Sequence, residues 1–289
     1  MDELSAVLKA RELVKAVNPM APPVSVEAYL EKVGAVLRQR KDLDSNEPGW
    51  SFEHEDKRYV CVNANDSDER RRFTICHEIA HIVLELPSDH SAGPWWSYAK
   101  RSPNEIWCDV FAAELLLPYN LFKSIAERMP IGFESVVRLA GQFDASVMAT
   151  GSRFATLVTT PCAFVLSEQG KVRYTSRSTP LREVNAWITP RVAVPTGSVT
   201  ERVRAGGQCD GPEEVDADIW FSDWDRGGVL LEEARHLASW DQTQTLLWFE
   251  NEEVPEPRRD RFARDAEEGE PLLRELDGIL PWPGKKRRK

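Results

Sequence analysis

Two histidines four residues apart, His77 and His81, flank an acid in the run His77-Glu78-Ile79-Ala80-His81. Residues four apart on a helix project to the same side, so both rings can offer a nitrogen to one zinc at about 2.0 to 2.1 Å. Glu78 lies about a hundred degrees round the helix. It then sits beside the metal without being a ligand, where a base for an activated water belongs. A catalytic zinc needs a third protein ligand and an open fourth position, the third being usually a histidine or glutamate from another element. His90 and Glu105 are the downstream candidates. Glu105 is the better, because it opens a helix on which Asp109, four residues later, faces the same way and can accept a hydrogen bond from the free ring nitrogen of a ligating histidine. The chemistry these residues suit is hydrolysis of a peptide bond, with His77, His81 and Glu105 on the metal and Glu78 carrying the proton. Manganese or iron can stand in for zinc, since such sites are not selective by affinity alone.

Plainer readings compete. Glu105 follows Ser102 by three residues and can be the far half of a capping box; Asp109 can be a solvated helix residue; His77 and His81 can be satisfied core histidines. Tyr98, His90 and Arg101 are nearby groups for a second oxyanion donor, and Trp95 and Trp96 for lining a cleft, but the sequence selects none of them.

Several elements must position these residues. Helical apolar spacing runs from about residue 3 to 17 and from 25 to 37, separated by Pro19, Pro22 and Pro23. Short β-rich stretches come next, at 50–52 and 58–63. The motif helix is expected to start at Asp66 as its cap, with Glu69 as reciprocal partner, and to run to about Leu86 before Pro87. Its apolar residues on nearly every side imply a buried helix. Ser102 and Pro103 open a second helix that Pro118 ends. Helical spacing continues to about Leu157. After Pro161 hairpins are expected over 162–174 and 228–249, with an acidic, glycine-bearing loop from 205 to 218.

The stretch Arg72-Phe73-Thr74-Ile75-Cys76-His77-Glu78-Ile79-Ala80-His81, preceded by Val62-Asn63, resembles the ImmA/IrrE metallopeptidases, and Glu105 to Pro118 is similar to that family's second signature. The resemblance covers about residues 5 to 158. It implies a gluzincin-like zinc fold with His77, His81 and Glu105 as ligands and Glu78 catalytic. It also implies a protein substrate, a helix-turn-helix repressor whose removal switches on stress or mobile-element genes. Ala80 departs from the commoner glycine and Leu117 from the commoner methionine; neither touches a ligand.

The expected fold class is α+β: a mostly helical, zincin-like metallopeptidase core with a small β-sheet over residues 1–158, a β-rich sensory or substrate-binding domain over 159–250, and a charged tail over 251–289. Residues 134–157 have the spacing of a helix-turn-helix. Ser146 to Thr150 occupy the start of its second helix and Gly151 interrupts it, leaving Arg153 almost alone as a DNA contact. Packing or partner docking is thus the preferred reading of 131–158. A non-catalytic regulator acting through these helices, with zinc purely structural, is the rival.

Composition narrows the classes. The 289 residues are 42% hydrophobic, enough for a substantial core. A formal charge of −10 offers no general footprint for nucleic acid; Lys285 to Lys289 form a basic terminus expected to be solvated. No secretory signal or membrane span is read, and five scattered cysteines without a Cys-x-x-Cys pair suit a reducing compartment. A cytoplasmic protein without membrane contact is the expectation.

Overall fold

The computed structural model describes residues 2–44, 47–87 and 102–250. Met1–Pro255 forms one unit and Glu256–Lys289 another, and all the described residues lie in the first. His90, Trp95, Trp96, Tyr98, Arg101 and the 251–289 tail lie outside the described residues.

Helix α1 (Glu3–Val17) is capped by Asp2, whose side chain accepts from the Ser5 amide. Helix α2 (Val26–Val33) starts at a Ser25 cap and stops at Gly34, which takes the left-handed conformation with φ 68°. The helix expected to reach residue 37 therefore ends four residues early. The chain past Gly34 becomes strand β1 (Ala35–Arg40), because Ala35-Val36-Leu37 can pair parallel to β3 (Lys57–Asn63). On the other side of β3 lies β2 (Gly49–His54), antiparallel, so the small sheet has the order β1-β3-β2. It packs on helix α3 (Asp68–Leu84) through β2 and β3.

Ser67 caps α3, not Asp66, because the Ser67 hydroxyl accepts from the Arg70 amide. Asp66 pairs instead with the Arg70 guanidinium at 3.2 Å. The helix ends at Leu84, two residues before the expected end, as Glu85 turns left-handed with φ 55°. Ser102 and Pro103 do open α4 (Pro103–Leu116), and Pro118 lies just beyond its end. Helices α5 (Tyr119–Ala126), α6 (Phe133–Phe143) and α7 (Val147–Leu157) complete the helical layer.

The second sheet is antiparallel with order β5-β4-β8-β7-β6, built from β4 (Cys162–Glu168), β5 (Lys171–Arg177), β6 (Glu213–Asp216), β7 (Val229–Leu237) and β8 (Gln242–Trp248). Both expected hairpins are present. The stretch expected to be a loop over 205–218 contains the edge strand β6, which pairs with β7 although Val215 is its one apolar residue. Short helices α8 (Thr179–Glu183), α9 (Val199–Arg204) and α10 (Ala217–Trp220) lie in the connections. One apolar core runs from α1 through α3, α4, α6 and α7 to Cys162, Phe164, Leu246 and Trp248 of the second sheet. The fold is α+β with a β-rich C-terminal region. Among the described residues no helix is long and apolar enough to cross a membrane.

Candidate metal centre

Helices α3 and α4 pack against each other and bring their motif residues face to face. His77 Nε2 and His81 Nε2 are 3.1 Å apart. Glu105 places Oε2 at 3.1 Å from His77 Nε2 and Oε1 at 3.4 Å from His81 Nε2.

The outer edges of the two rings fix their tautomers. His77 Nδ1 lies 3.0 Å from Asp109 Oδ1, and His81 Nδ1 lies 3.3 Å from the Leu86 carbonyl oxygen. Carbonyl and carboxylate oxygens only accept, so each neutral ring carries its hydrogen on Nδ1 and turns the Nε2 lone pair inward. Two lone pairs and a carboxylate then converge, and only a proton or a cation between them can make the cluster favourable.

Tetrahedral zinc fits this spacing. Bonds of about 2.0 to 2.1 Å put neighbouring ligand atoms about 3.3 Å apart; the two Nε2 atoms are 3.1 Å apart, and each has a different Glu105 oxygen beside it, Oε2 at 3.1 Å from His77 and Oε1 at 3.4 Å from His81. Glu105 Oε1 is also buried without a hydrogen-bond donor, as an oxygen reserved for a cation is. Glu105 is not the far half of a capping box: Ser102 accepts from the Glu105 amide, but the Glu105 carboxylate faces the histidines.

Without metal, a proton takes the place. Burial is the largest influence on His77 and pulls its pKa down, yet the hydrogen bonds to Asp109 and Glu105 outweigh it and hold the imidazole up at about 10. For Glu105 burial again opposes, and the neighbouring His77 and His81 prevail, holding its carboxyl well below the usual range.

Cys108, one helical turn after Glu105, reads in the sequence only as a free thiol. Its sulfur and one nitrogen from each histidine lie within 4.8 Å of one another. Zinc–sulfur bonds of about 2.3 Å would ask for nitrogen–sulfur distances of about 3.6 Å. Burial first, then Glu105, Asp109 and Glu78, push this thiol up and keep it protonated. Glu105 brings a carboxylate to within 3.1 and 3.4 Å of the two Nε2 atoms, and Cys108 brings a sulfur to within 4.8 Å of the two histidines.

Glu78 is buried, 2% exposed, and its Oε2 accepts from the Ser51 hydroxyl at 2.8 Å. Sequence reasoning misses Ser51 and Leu86, and a serine in a short strand carries no signal there. Glu114 does carry one, as a lone charge inside Phe111-Ala112-Ala113-Glu114-Leu115. It is buried and takes Arg153 Nη2 at 2.6 Å, Arg11 Nε at 3.3 Å and the Tyr119 amide at 2.9 Å.

That contact corrects the reading of Arg153 as a residual DNA contact. Its guanidinium is 15% exposed and is spent on Glu114 and the Leu117 carbonyl. The rest of α7 is likewise engaged: Gly151 lies against the Phe164 ring, and Ser152 bonds Tyr174 and Ser176 of β5.

A helix pair presenting two inward ring nitrogens and a carboxylate, with a further buried glutamate alongside, defines a metallopeptidase-type domain. Residues 30–154 match the profile described as the IrrE N-terminal-like domain of peptidase family M78. The radiation response metalloprotease IrrE of Deinococcus radiodurans is 26% identical over 162 residues, covering 54% of this chain and 47% of that protein. The IrrE of Deinococcus deserti is 23% identical over 154 residues, covering 52% and 53%. The chain thus spans about half the length of the curated relatives it matches. A solved structure described as a Mycobacterium tuberculosis transcriptional regulator shares the fold with a TM-score of 0.52 at 15% identity, over 84% of this chain and 74% of that one. Residues 30–154 thus form an IrrE-like metallopeptidase domain, as their motifs lead one to expect.

Proposed function

We propose that the chain is a zinc-dependent endopeptidase that cuts a helix-turn-helix transcriptional repressor and so relieves repression. The observation that carries the catalytic part is the convergence of His77 Nε2, His81 Nε2 and the Glu105 carboxylate within 3.1 to 3.4 Å, with both rings locked from behind.

In this reading His77, His81 and Glu105 hold the ion, zinc by preference and manganese or iron as substitutes. When bound, zinc supplies Lewis acidity, polarising the scissile carbonyl and lowering the pKa of the attacking water. Asp109 and the Leu86 carbonyl keep the rings in register. Glu78 accepts the proton from water and returns it to the leaving amine. Residues 159–250 act as the sensory or substrate-gripping part, on a sheet that shares its core with α6 and α7. The repressor as substrate rests on the family resemblance alone, and a cytoplasmic site of action goes with it.

The rival regulator, working through 131–158 on DNA, is disfavoured by the burial of α7 against the second sheet and by the engagement of Arg153. Co-incubation with candidate helix-turn-helix repressors, read by mass, separates the two. The peptidase reading expects one defined cut, abolished by a chelator and by Glu78→Gln while Glu78→Gln keeps its zinc. Intact repressor with zinc-loaded protein, or full cleavage by the Gln variant, contradicts it.

A further inference from the structure

A glutamate side chain has three rotatable bonds, and a general base works only when its carboxylate is held within hydrogen-bond reach of the proton it takes. Helix α3 fixes the backbone of Glu78 but not its carboxylate. Its neighbours along the helix, Cys76, Ile79 and Ala80, are buried, and so is Glu78 itself. Among the described residues no lysine or arginine pairs with it, and the hydrogen bond that grips it comes from Ser51, whose hydroxyl donates to Oε2 at 2.8 Å.

Ser51 is well placed for that work. It lies in the middle of β2, an outer strand pinned along its length to β3, with Ser51 opposite Val60. Side chains alternate along a strand, so Trp50 and Phe52 lie on the other face while Ser51 turns toward α3. Gly49 brings the start of β2 down onto α3: any Cβ there would overlap the Cys61 carbonyl and the Thr74 methyl. The hydroxyl is therefore carried by the sheet, at a height above the helix that its packing fixes.

We propose that Ser51 is a positioning residue for Glu78, holding the carboxylate of the base in its working rotamer from the neighbouring sheet. Its kinetic consequence rests on the peptidase reading; its structural consequence does not.

The test compares full-length wild type with Ser51→Ala and Ser51→Thr. Threonine keeps the hydroxyl and suits a strand. In crystal structures of the metal-free proteins the Glu78 carboxylate should hold its place in wild type and the threonine variant and leave it in the alanine variant. With a helix-turn-helix repressor that the wild type cuts as substrate, Ser51→Ala should lose about tenfold in kcat with KM within about twofold. Ser51→Thr should restore the rate, and zinc per chain should be the same in all three. An unmoved carboxylate in Ser51→Ala, an unchanged kcat, or an equal loss in Ser51→Thr overturns the proposal. If wild type itself cuts nothing, the peptidase reading fails alone, and the position of the carboxylate in the three structures still decides the role of Ser51.

Discussion

His77 Nε2 and His81 Nε2 face each other at 3.1 Å with no donor of their own between them once Asp109 and the Leu86 carbonyl hold the two Nδ1 hydrogens. Such a pair is unfavourable when empty and favourable around a positive charge. The site is thereby built for a cation, and a proton is the cheapest one.

Competition between proton and metal gives a pH dependence. His77 is raised from its ordinary 6.5 to about 10, so its contribution to the metal-free fold is complete below about pH 6.5 and is lost as pH rises to about 10. Glu105 is depressed below its ordinary 4.5, so its contribution is present above about pH 4.5 and is lost as pH falls further. The metal-free chain should gain most from this pair between about pH 4.5 and 6.5. Zinc binding at pH 7 should release about one proton, measurable by calorimetry in buffers of different ionisation enthalpy. Binding without proton release contradicts the coupling.

Asp109 holds His77 from behind at 3.0 Å. Asp109→Ala should weaken zinc about 10- to 100-fold while leaving the helical circular dichroism intact, as read by competition with a chromophoric chelator. Unchanged affinity would return Asp109 to the status of an ordinary helix residue.

Arg153 joins α7 to Glu114 of α4, and removing it leaves a buried carboxylate with only Arg11 and the Tyr119 amide. Arg153→Ala should cost about 3 kcal/mol in urea unfolding, the low end of what breaking a buried pair costs because two partners remain. A loss under about 0.5 kcal/mol would mean the pair is idle.

Two helical glycines should respond in opposite directions. A Cβ at Gly151 would overlap the Phe164 ring, whereas one at Gly141 meets nothing within 4 Å. Gly151→Ala should destabilise by about 1 to 3 kcal/mol through overpacking. Gly141→Ala should be neutral or stabilise by up to about 1 kcal/mol. Thermal unfolding of both variants checks the contrast, and a neutral Gly151→Ala would undo the close packing of α7 on the sheet.

The candidate metal residues are legible in the sequence because helical spacing is local: His77 and His81 share a face by arithmetic, and Ser102-Pro103 announces the helix that carries Glu105 and Asp109. What brings them together is not local. Ser51 reaches Glu78 across 27 positions and Arg153 reaches Glu114 across 39; the lone charge of Glu114 among apolar residues shows that it needs a partner, but nothing beside Ser51 or Arg153 marks them as the ones. The same limit explains the misread ends. Gly34 caps α2 locally, but that residues 35–40 then form a strand depends on β3 to pair with them, and β6 pairs with β7. Ser67 displaces Asp66 as the cap of α3 by a single residue, a choice made by the Asp66 pairing with Arg70.

The most direct measurement is a crystal structure of the zinc-loaded chain with anomalous data collected at the zinc edge. One peak per chain is expected, bonded at about 2.0 to 2.1 Å to His77 Nε2, His81 Nε2 and a Glu105 oxygen, with an open position on the side of Glu78. No peak between the two helices, or a peak bonded to the Cys108 sulfur with Glu105 turned away, would contradict it.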